Sequence, residues 1–286
     1  MVYLLLGITA LTATLQNILK KLYNKRCAGG VYCFCGLVSF FAMLFFLAVN
    51  RDWSYPVELL LPSFAFAVSY AVATVFAVLA IRYGSLAISS LVISCSLLIP
   101  SFYGIVCLGE PISATLFLGT AFLIVALILV NYEKKQDKLP RIRLKWVFFL
   151  FLAFLGNGMC STVQKAEALF YGKQGENCFM IVALAMVSLM MLVLTLCVKE
   201  ERQCAANTLK KGWLLALLSG VFNGLTNYLV LYLNPRLPAS VMFPVISAGG
   251  LILVFLYSFF IERERFNVWQ KVGFFVGLAS IVLLNL

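Results

Sequence analysis

The chain has 286 residues and a formal net charge of +11, from 22 Lys and Arg against 11 Asp and Glu. Hydrophobic residues make up 63% of it and charged residues 12%, whereas a soluble domain carries roughly half apolar and a quarter charged residues. This excess of apolar surface excludes a soluble globular protein and indicates that the solvent of the chain is lipid. The chain has no histidine, and its nine cysteines are scattered, so we expect no metal, no cofactor and no disulfide framework. The basic residues lie between apolar segments, where they set membrane orientation, and do not indicate nucleic-acid binding.

Ten apolar segments follow one another along the chain, and each is long enough to cross a bilayer as a helix. Five lie in a first half, residues 1–132: 2–19, 29–49, 57–81, 85–108 and 112–131. A polar, basic linker, 133–145, separates them from a second half, 146–286, with segments 146–166, 177–198, 213–233, 239–261 and 266–286. We expect helices throughout, because lipid cannot satisfy free backbone groups. The predicted fold class is an all-α membrane protein of ten transmembrane helices.

The two halves repeat one pattern. Gln16 aligns with Gln164 at one constant offset, and Thr74 aligns with Thr226 at a slightly larger one. An odd number of spans per half forces the second copy to cross the membrane upside down. Two inverted five-helix repeats of this kind are typical of secondary transporters.

Orientation follows from the placement of Lys and Arg. Most of the 22 basic residues fall in the connections after the first, third, fifth, seventh and ninth segments. The positive-inside rule places these connections in the cytoplasm, so both termini are predicted to lie outside it. For Lys165, on the other side, extension of the ammonium to the membrane interface is the simplest explanation.

Polar residues inside the segments mark candidate solute contacts, because such groups are costly in lipid. Asn223 and Asn227 lie four residues apart, on one helix face. Hydrogen bonding between helices is an equally good explanation for these side chains. The predicted substrate-binding set is Gln16, Tyr70, Thr74, Gln164, Asn223 and Asn227.

Four further residues are predicted to have gating or structural roles. Pro100 and Pro244 each remove a backbone hydrogen bond and are expected to kink their helices. Glu110 and Glu262 occupy the same boundary in each half, where capping or charge pairing is expected. The Gly156-Asn157-Gly158 run is open to two interpretations, a loosened helix or close packing against a neighbour.

Several short motifs resemble the EamA-type branch of the drug/metabolite transporter superfamily. They are Tyr83-Gly84-Ser85-Leu86-Ala87, Pro100, Leu108-Gly109-Glu110-Pro111, Gly119, Pro238-Ala239-Ser240, Ile261-Glu262-Arg263 and Gly273. The resemblance implies ten helices around a central cavity, lined chiefly by segments 1, 3, 4, 6, 8 and 9, and transport of small metabolites by alternating access. Members of that family usually keep both termini in the cytoplasm, so the charge distribution of this chain departs from the family habit.

These observations favour a secondary transporter of the cytoplasmic membrane, rather than an enzyme, for a small polar, amino-acid-like or otherwise uncharged or zwitterionic solute. Its partners would be that solute and the lipid bilayer, with the chain a monomer or homodimer. The asparagines of the second half suggest that the solute lies nearer to that half. Three alternatives stay open: a multidrug or organic-cation exporter, a membrane scaffold that transports nothing, and an intramembrane enzyme. No carboxylate is expected in mid-membrane, which weakens the first alternative, and the lack of histidine weakens the third.

Overall fold

Every regular element among the described residues is a helix. The computed structural model describes residues 2–27, 29–51, 53–84, 86–96, 98–109, 114–130, 144–171, 175–261 and 267–284. The helices are α1 Val2–Arg26, α2 Val31–Val49, α3 Leu60–Tyr83, α4 Leu86–Cys95, α5 Leu98–Leu108, α6 Ala114–Val130, α7 Leu144–Phe170, α8 Glu176–Cys197, α9 Lys199–Asn207, α10 Trp213–Leu233, α11 Ala239–Phe260 and α12 Val268–Leu284. The predicted all-α class is confirmed.

Among the residues that the structure describes, six helical stretches are long and apolar enough to cross a membrane, by length and composition. They are Val2–Arg26, Val31–Val49, Val57–Tyr83, Leu144–Phe170, Asn177–Cys197 and Lys199–Leu233. Shorter apolar helices accompany them, among them Leu98–Leu108. These helices are compatible with a multi-pass membrane protein.

The distribution of polarity is the reverse of that in a soluble protein. Gln164 is 3% exposed and Asn223 6%, while Val106 is 77% and Phe117 71% exposed. In water such an apolar exterior would be an aggregation liability, but against lipid chains it costs nothing. Polar groups held inside and apolar groups outside are therefore compatible with a lipid environment.

The helices of the two halves pack across one another. α1 packs against α10 and α11, α3 against α7, and α2 against α8 and α10. At one side of the bundle α6 packs against α12. Aromatic side chains of α2, α3 and α8 form the main core, with Phe34, Phe46, Phe66 and Phe179 each almost fully buried. This interleaving places α1, α7 and α10 around a common centre.

The fourth predicted segment is divided into α4 and α5, and the division precedes Pro100. α4 ends at Cys95, and Ser96 forms a turn in which the N–H of Ile99 donates to the Ser96 carbonyl at 3.0 Å. A proline at position i cannot bond the carbonyl of residue i−4, and its ring crowds that carbonyl. The interruption therefore lies four residues before Pro100, which itself falls in the first turn of α5 where a missing N–H is tolerated. Pro244, by contrast, lies within α11, which is helical from Ala239 to Phe260.

Two boundaries differ from those predicted, and some predictions fall outside the described residues. α1 continues to Arg26 instead of ending at residue 19, and the connection after α8 holds the helix α9 rather than an open loop. Glu110 and Glu262 lie outside the described residues. So does the linker 133–145, apart from Leu144 and Lys145, which belong to α7.

Candidate functional site

A cavity of about 150 Å³ lies where α1, α7, α10 and α11 meet. α3 and α4 each contribute one residue to its wall, Tyr70 and Ile93. Its polar lining includes Gln16, Asn17, Asn157, Ser161, Gln164, Asn223, Thr226, Asn227 and Ser247. The cavity thus brings together polar side chains from both halves of the chain.

Most of the predicted substrate-binding residues reach this cavity. Gln16, Tyr70, Gln164, Asn223 and Asn227 all line it. Thr74 is not among the lining residues that the structure describes. Its hydroxyl donates to the Tyr70 carbonyl of the preceding turn at 2.8 Å and lies beside the Cys35 thiol of α2.

Four of these side chains form one continuous chain of amide hydrogen bonds, which we call the amide chain. Gln164 Nε2 donates to Asn227 Oδ1 at 3.0 Å, and Asn227 Nδ2 donates to Asn223 Oδ1 at 3.1 Å. Asn223 Nδ2 then donates to Gln16 Oε1 at 2.9 Å. Every bond in the amide chain runs in the same direction from donor to acceptor. Together these bonds join α7 to α1 through α10.

The amide chain ends on a pair of threonine hydroxyls. Gln16 Nε2 donates to Thr226 Oγ1 at 2.9 Å. The Thr226 hydroxyl lies 2.8 Å from both Thr12 Oγ1 and the Phe222 carbonyl, either of which accepts its single proton. Thr226 is the repeat partner of Thr74, yet only Thr226 bonds a side chain of the cavity wall, so the two halves use the equivalent position differently.

The side of the cavity formed by α7 offers groups that the amide chain does not use. Asn157 Nδ2 donates to Ser96 Oγ at 2.7 Å, which ties α7 to the turn between α4 and α5. Ser161 bonds the Asn157 carbonyl of its own helix at 3.3 Å. Within the described part of the chain, no hydrogen bond is made by Gln164 Oε1 or Asn157 Oδ1. These two oxygens are acceptors available to a bound solute.

Lys20 also lines the cavity and lies outside the predicted substrate-binding set. It lies four residues after Gln16 and therefore shares its helix face. The predicted first segment ends at residue 19, which places Lys20 in a connection. The observed continuation of α1 to Arg26 places it inside the helix, and the spacing from Gln16 is the signal that would have revealed it.

The side chain of Lys165 is buried in the bundle, at the end of α10. Its side chain is 3% exposed, and Nζ donates to the carbonyls of Asn234 and Leu237 at 3.0 and 2.9 Å. These carbonyls belong to the end of α10 and the connection to α11. The ammonium satisfies carbonyls that have no partner within their own helix, and thereby fixes the connection.

The glycines at the centre of α7 serve close packing. α7 is helical from Leu144 to Phe170 without interruption. A Cβ on Gly156 would lie 2.7 Å from the Ala73 backbone nitrogen and 2.8 Å from the Ser69 carbonyl oxygen. The contact with α3 therefore requires glycine, which decides between the two interpretations of this run in favour of packing.

Comparison with known proteins gives similarity in fold alone. No family model matches the chain, and no curated protein matches it. A solved structure described as "Crystal structure of protein" is similar, with a TM-score of 0.68 and 13% sequence identity. The match covers 97% of this chain and 95% of that one.

Proposed function

We propose that this protein is a secondary transporter that carries a small polar solute through the cavity between α1, α7, α10 and α11. The observation that carries the proposal is the amide chain, which lines the cavity and joins α7, α10 and α1. Polar side chains inside a lipid-exposed bundle are costly unless they serve a solute pathway or bind helices together. The free oxygens of Gln164 and Asn157 favour the pathway, because a purely structural network has no reason to leave acceptors facing a cavity.

Ten transmembrane helices in two inverted repeats form part of the proposal. α4 and α5 together count as one span, and α9 belongs to a connection, so the helices reduce to ten. The packing supports the repeat, because contacts between helices recur between their equivalents in the other half. The contact of α1 with α10 corresponds to that of α7 with α3, and the contact of α2 with α10 corresponds to that of α8 with α3. The contacts α2 with α8 and α6 with α12 each pair a helix with its own equivalent. Symmetry of this sort allows two states that expose the cavity on opposite sides of the membrane.

The alternatives are less well supported by the cavity. An organic-cation exporter would be expected to present a carboxylate, but the described lining residues include none and do include Lys20. An intramembrane enzyme needs a base, nucleophile or metal cluster, and the described residues hold no group of three or more His, Cys, Asp or Glu placed to bind a metal. A scaffold would gain nothing from the cavity.

The proposal is tested by solute flux into proteoliposomes. A thermal-shift screen of the purified protein against small metabolites identifies the solute. A ligand at about 100 times its Kd raises the free energy of unfolding of the protein by about 2.7 kcal/mol. The Asn223→Leu and Asn227→Leu double variant is expected to insert normally and to lose flux, because it removes the centre of the amide chain. Thr74→Val is the matched control and should keep flux, since Thr74 is not among the described lining residues and its hydroxyl donates to carbonyls of its own helix. Undiminished flux in the double variant would remove this cavity from the transport path.

A further inference from the structure

The cavity carries a positive charge with an incomplete set of partners. Lys20 is the one charged residue among its described lining residues. Its Nζ donates to Asn17 Oδ1 at 3.4 Å, which is a long bond to a neutral oxygen. An ammonium has three donor hydrogens, so at least two remain for other acceptors. The wall of the cavity therefore presents an ammonium that is only partly hydrogen-bonded.

The other ionisable groups near the bundle centre do not supply a counter-charge to the cavity. Glu201 accepts a hydrogen bond from the Tyr32 backbone N–H at 2.9 Å, beyond the lining. Glu167 is buried in α7 but is not a lining residue. Lys165 also lies outside the lining, and its Nζ is bound to backbone carbonyls. No described carboxylate therefore faces Lys20 across the cavity.

We infer that the transported solute is a small organic carboxylate whose carboxylate group contacts Lys20 Nζ. This inference rests on the proposed transport function and names its substrate class. A charge held in a partly desolvated cavity is costly until an opposite charge joins it, and ammonium-to-carboxylate hydrogen bonds are among the stronger ones in proteins. The neutral part of the solute then lies along the amide chain, where Gln164 Oε1 and Asn157 Oδ1 accept its hydrogen bonds.

Charge and volume restrict the solute further. One lysine without a second lining cation matches a single carboxylate, whereas phosphates and dicarboxylates call for more positive charge. A cavity of about 150 Å³ is of the size that accommodates a six-membered ring. A monocarboxylate of about six to ten non-hydrogen atoms fits these limits.

Binding is tested with pairs of probes that differ only in the acid group: benzoate with benzamide, lactate with lactamide, and alanine with alaninamide. Each is titrated against the purified protein in detergent and followed by its thermal shift. We expect at least one carboxylate to bind, and the corresponding carboxamide, which lacks the negative charge, to bind roughly tenfold to a hundredfold more weakly. Lys20→Gln should reduce the affinity for the carboxylate by a similar factor and leave that for the amide almost unchanged. Lys20→Arg should retain most of the carboxylate affinity.

Lys21→Gln is the matched control, because it removes one positive charge from the neighbouring position of α1 and is not a lining residue. It should keep full carboxylate affinity. Equal loss in the Lys20 and Lys21 variants, or binding of amides and amines in preference to carboxylates, would overturn the inference.

Flux measurements separate this inference from the transport proposal. Carboxylate uptake into proteoliposomes that Lys20→Gln abolishes and Lys21→Gln retains supports both. Uptake of neutral or cationic solutes alone would leave transport standing and refute the carboxylate. Carboxylate binding that depends on Lys20 but brings no flux would leave the site assignment standing and refute transport.

Discussion

The bond between Asn223 and Gln16 at the centre of the amide chain gives a prediction that needs no knowledge of the solute. Asn223→Leu keeps the approximate side-chain volume and removes the side-chain hydrogen bonds of Asn223 with Gln16, Asn227 and Tyr70. Gln16 Oε1 loses the Asn223 amide donor at 2.9 Å, whereas Asn227 Nδ2 keeps the Asn223 backbone carbonyl at 3.0 Å. The substitution thus leaves the Gln16 acceptor without this donor, on a side chain that is 7% exposed.

The expected cost is about 1–2 kcal/mol. An unsatisfied buried group costs roughly 1–3 kcal/mol in soluble proteins, and hydrogen bonds between membrane helices average about 0.6 with a maximum near 1.7. Gln16→Leu should cost a similar amount, because it leaves Asn223 Nδ2 without its acceptor. The double variant lacks both Gln16 Oε1 and Asn223 Nδ2, so neither group is left without its partner. Its loss in free energy of unfolding should therefore be about 1 kcal/mol smaller than the sum of the losses in the two single variants.

The assay is reversible unfolding in detergent micelles, followed by helical circular dichroism, in a double-mutant cycle. Thr195→Val combined with Asn223→Leu is the control cycle, because Thr195 bonds its own helix at the Met191 carbonyl in α8. Separate sites are expected to add within about 0.3–0.5 kcal/mol. If Gln16 and Asn223 also add within that limit, the two side chains are not coupled and the amide chain does not operate as a unit.

Two further predictions concern packing and orientation. Gly156→Ala should lower the free energy of unfolding by about 1–3 kcal/mol, because its Cβ would meet backbone atoms of α3. Gly7→Ala is the control and should leave the free energy of unfolding unchanged, because no atom lies within 4 Å of the added Cβ. Equal effects of the two substitutions in the same unfolding assay would contradict the close contact. A C-terminal fusion to a reporter active only in the periplasm should be active, and activity of a reporter restricted to the cytoplasm would show that the charge distribution does not set the orientation.

Much of the helical pattern could be predicted, because apolar runs of about 20 residues have one stable conformation in lipid. The boundaries were less accurate, because a polar residue near the end of a span can continue the helix. Lys20 shows this, since composition alone assigns it to a connection whereas the helix carries it into the cavity. The position of the interruption before Pro100 follows from the sequence as well. Proline has no N–H to donate to the carbonyl of residue i−4, which is Ser96.

The composition of the site was partly predictable because intramembrane amides are few. The repeat pairs Gln16 with Gln164, and both side chains line the cavity. Sequence could not separate Thr226 from Thr74, because a threonine hydroxyl bonds either its own helix or a neighbour according to its rotamer. That choice depends on the side chains opposite, and Thr226 alone has Gln16 within reach.

The three helices that the amide chain joins are not held together equally: α10 is attached more firmly to α1 than to α7. α10 packs along α1 over a long contact, and the two share side-chain hydrogen bonds from Gln16 to Thr226, from Asn223 to Gln16 and from Thr226 to Thr12. α10 packs little against α7, and the two are joined by the bond from Gln164 to Asn227 beside the cavity and by Lys165 at the far end of α10. A motion that parts α10 from α7 beside the cavity breaks one side-chain bond there, whereas parting α10 from α1 breaks three and a long packed contact. The weaker seam is therefore the one between α7 and α10, and α1 would travel with α10 as a rigid pair. A solute that accepts or donates at Gln164 would sit on that seam and replace the bond that opening breaks.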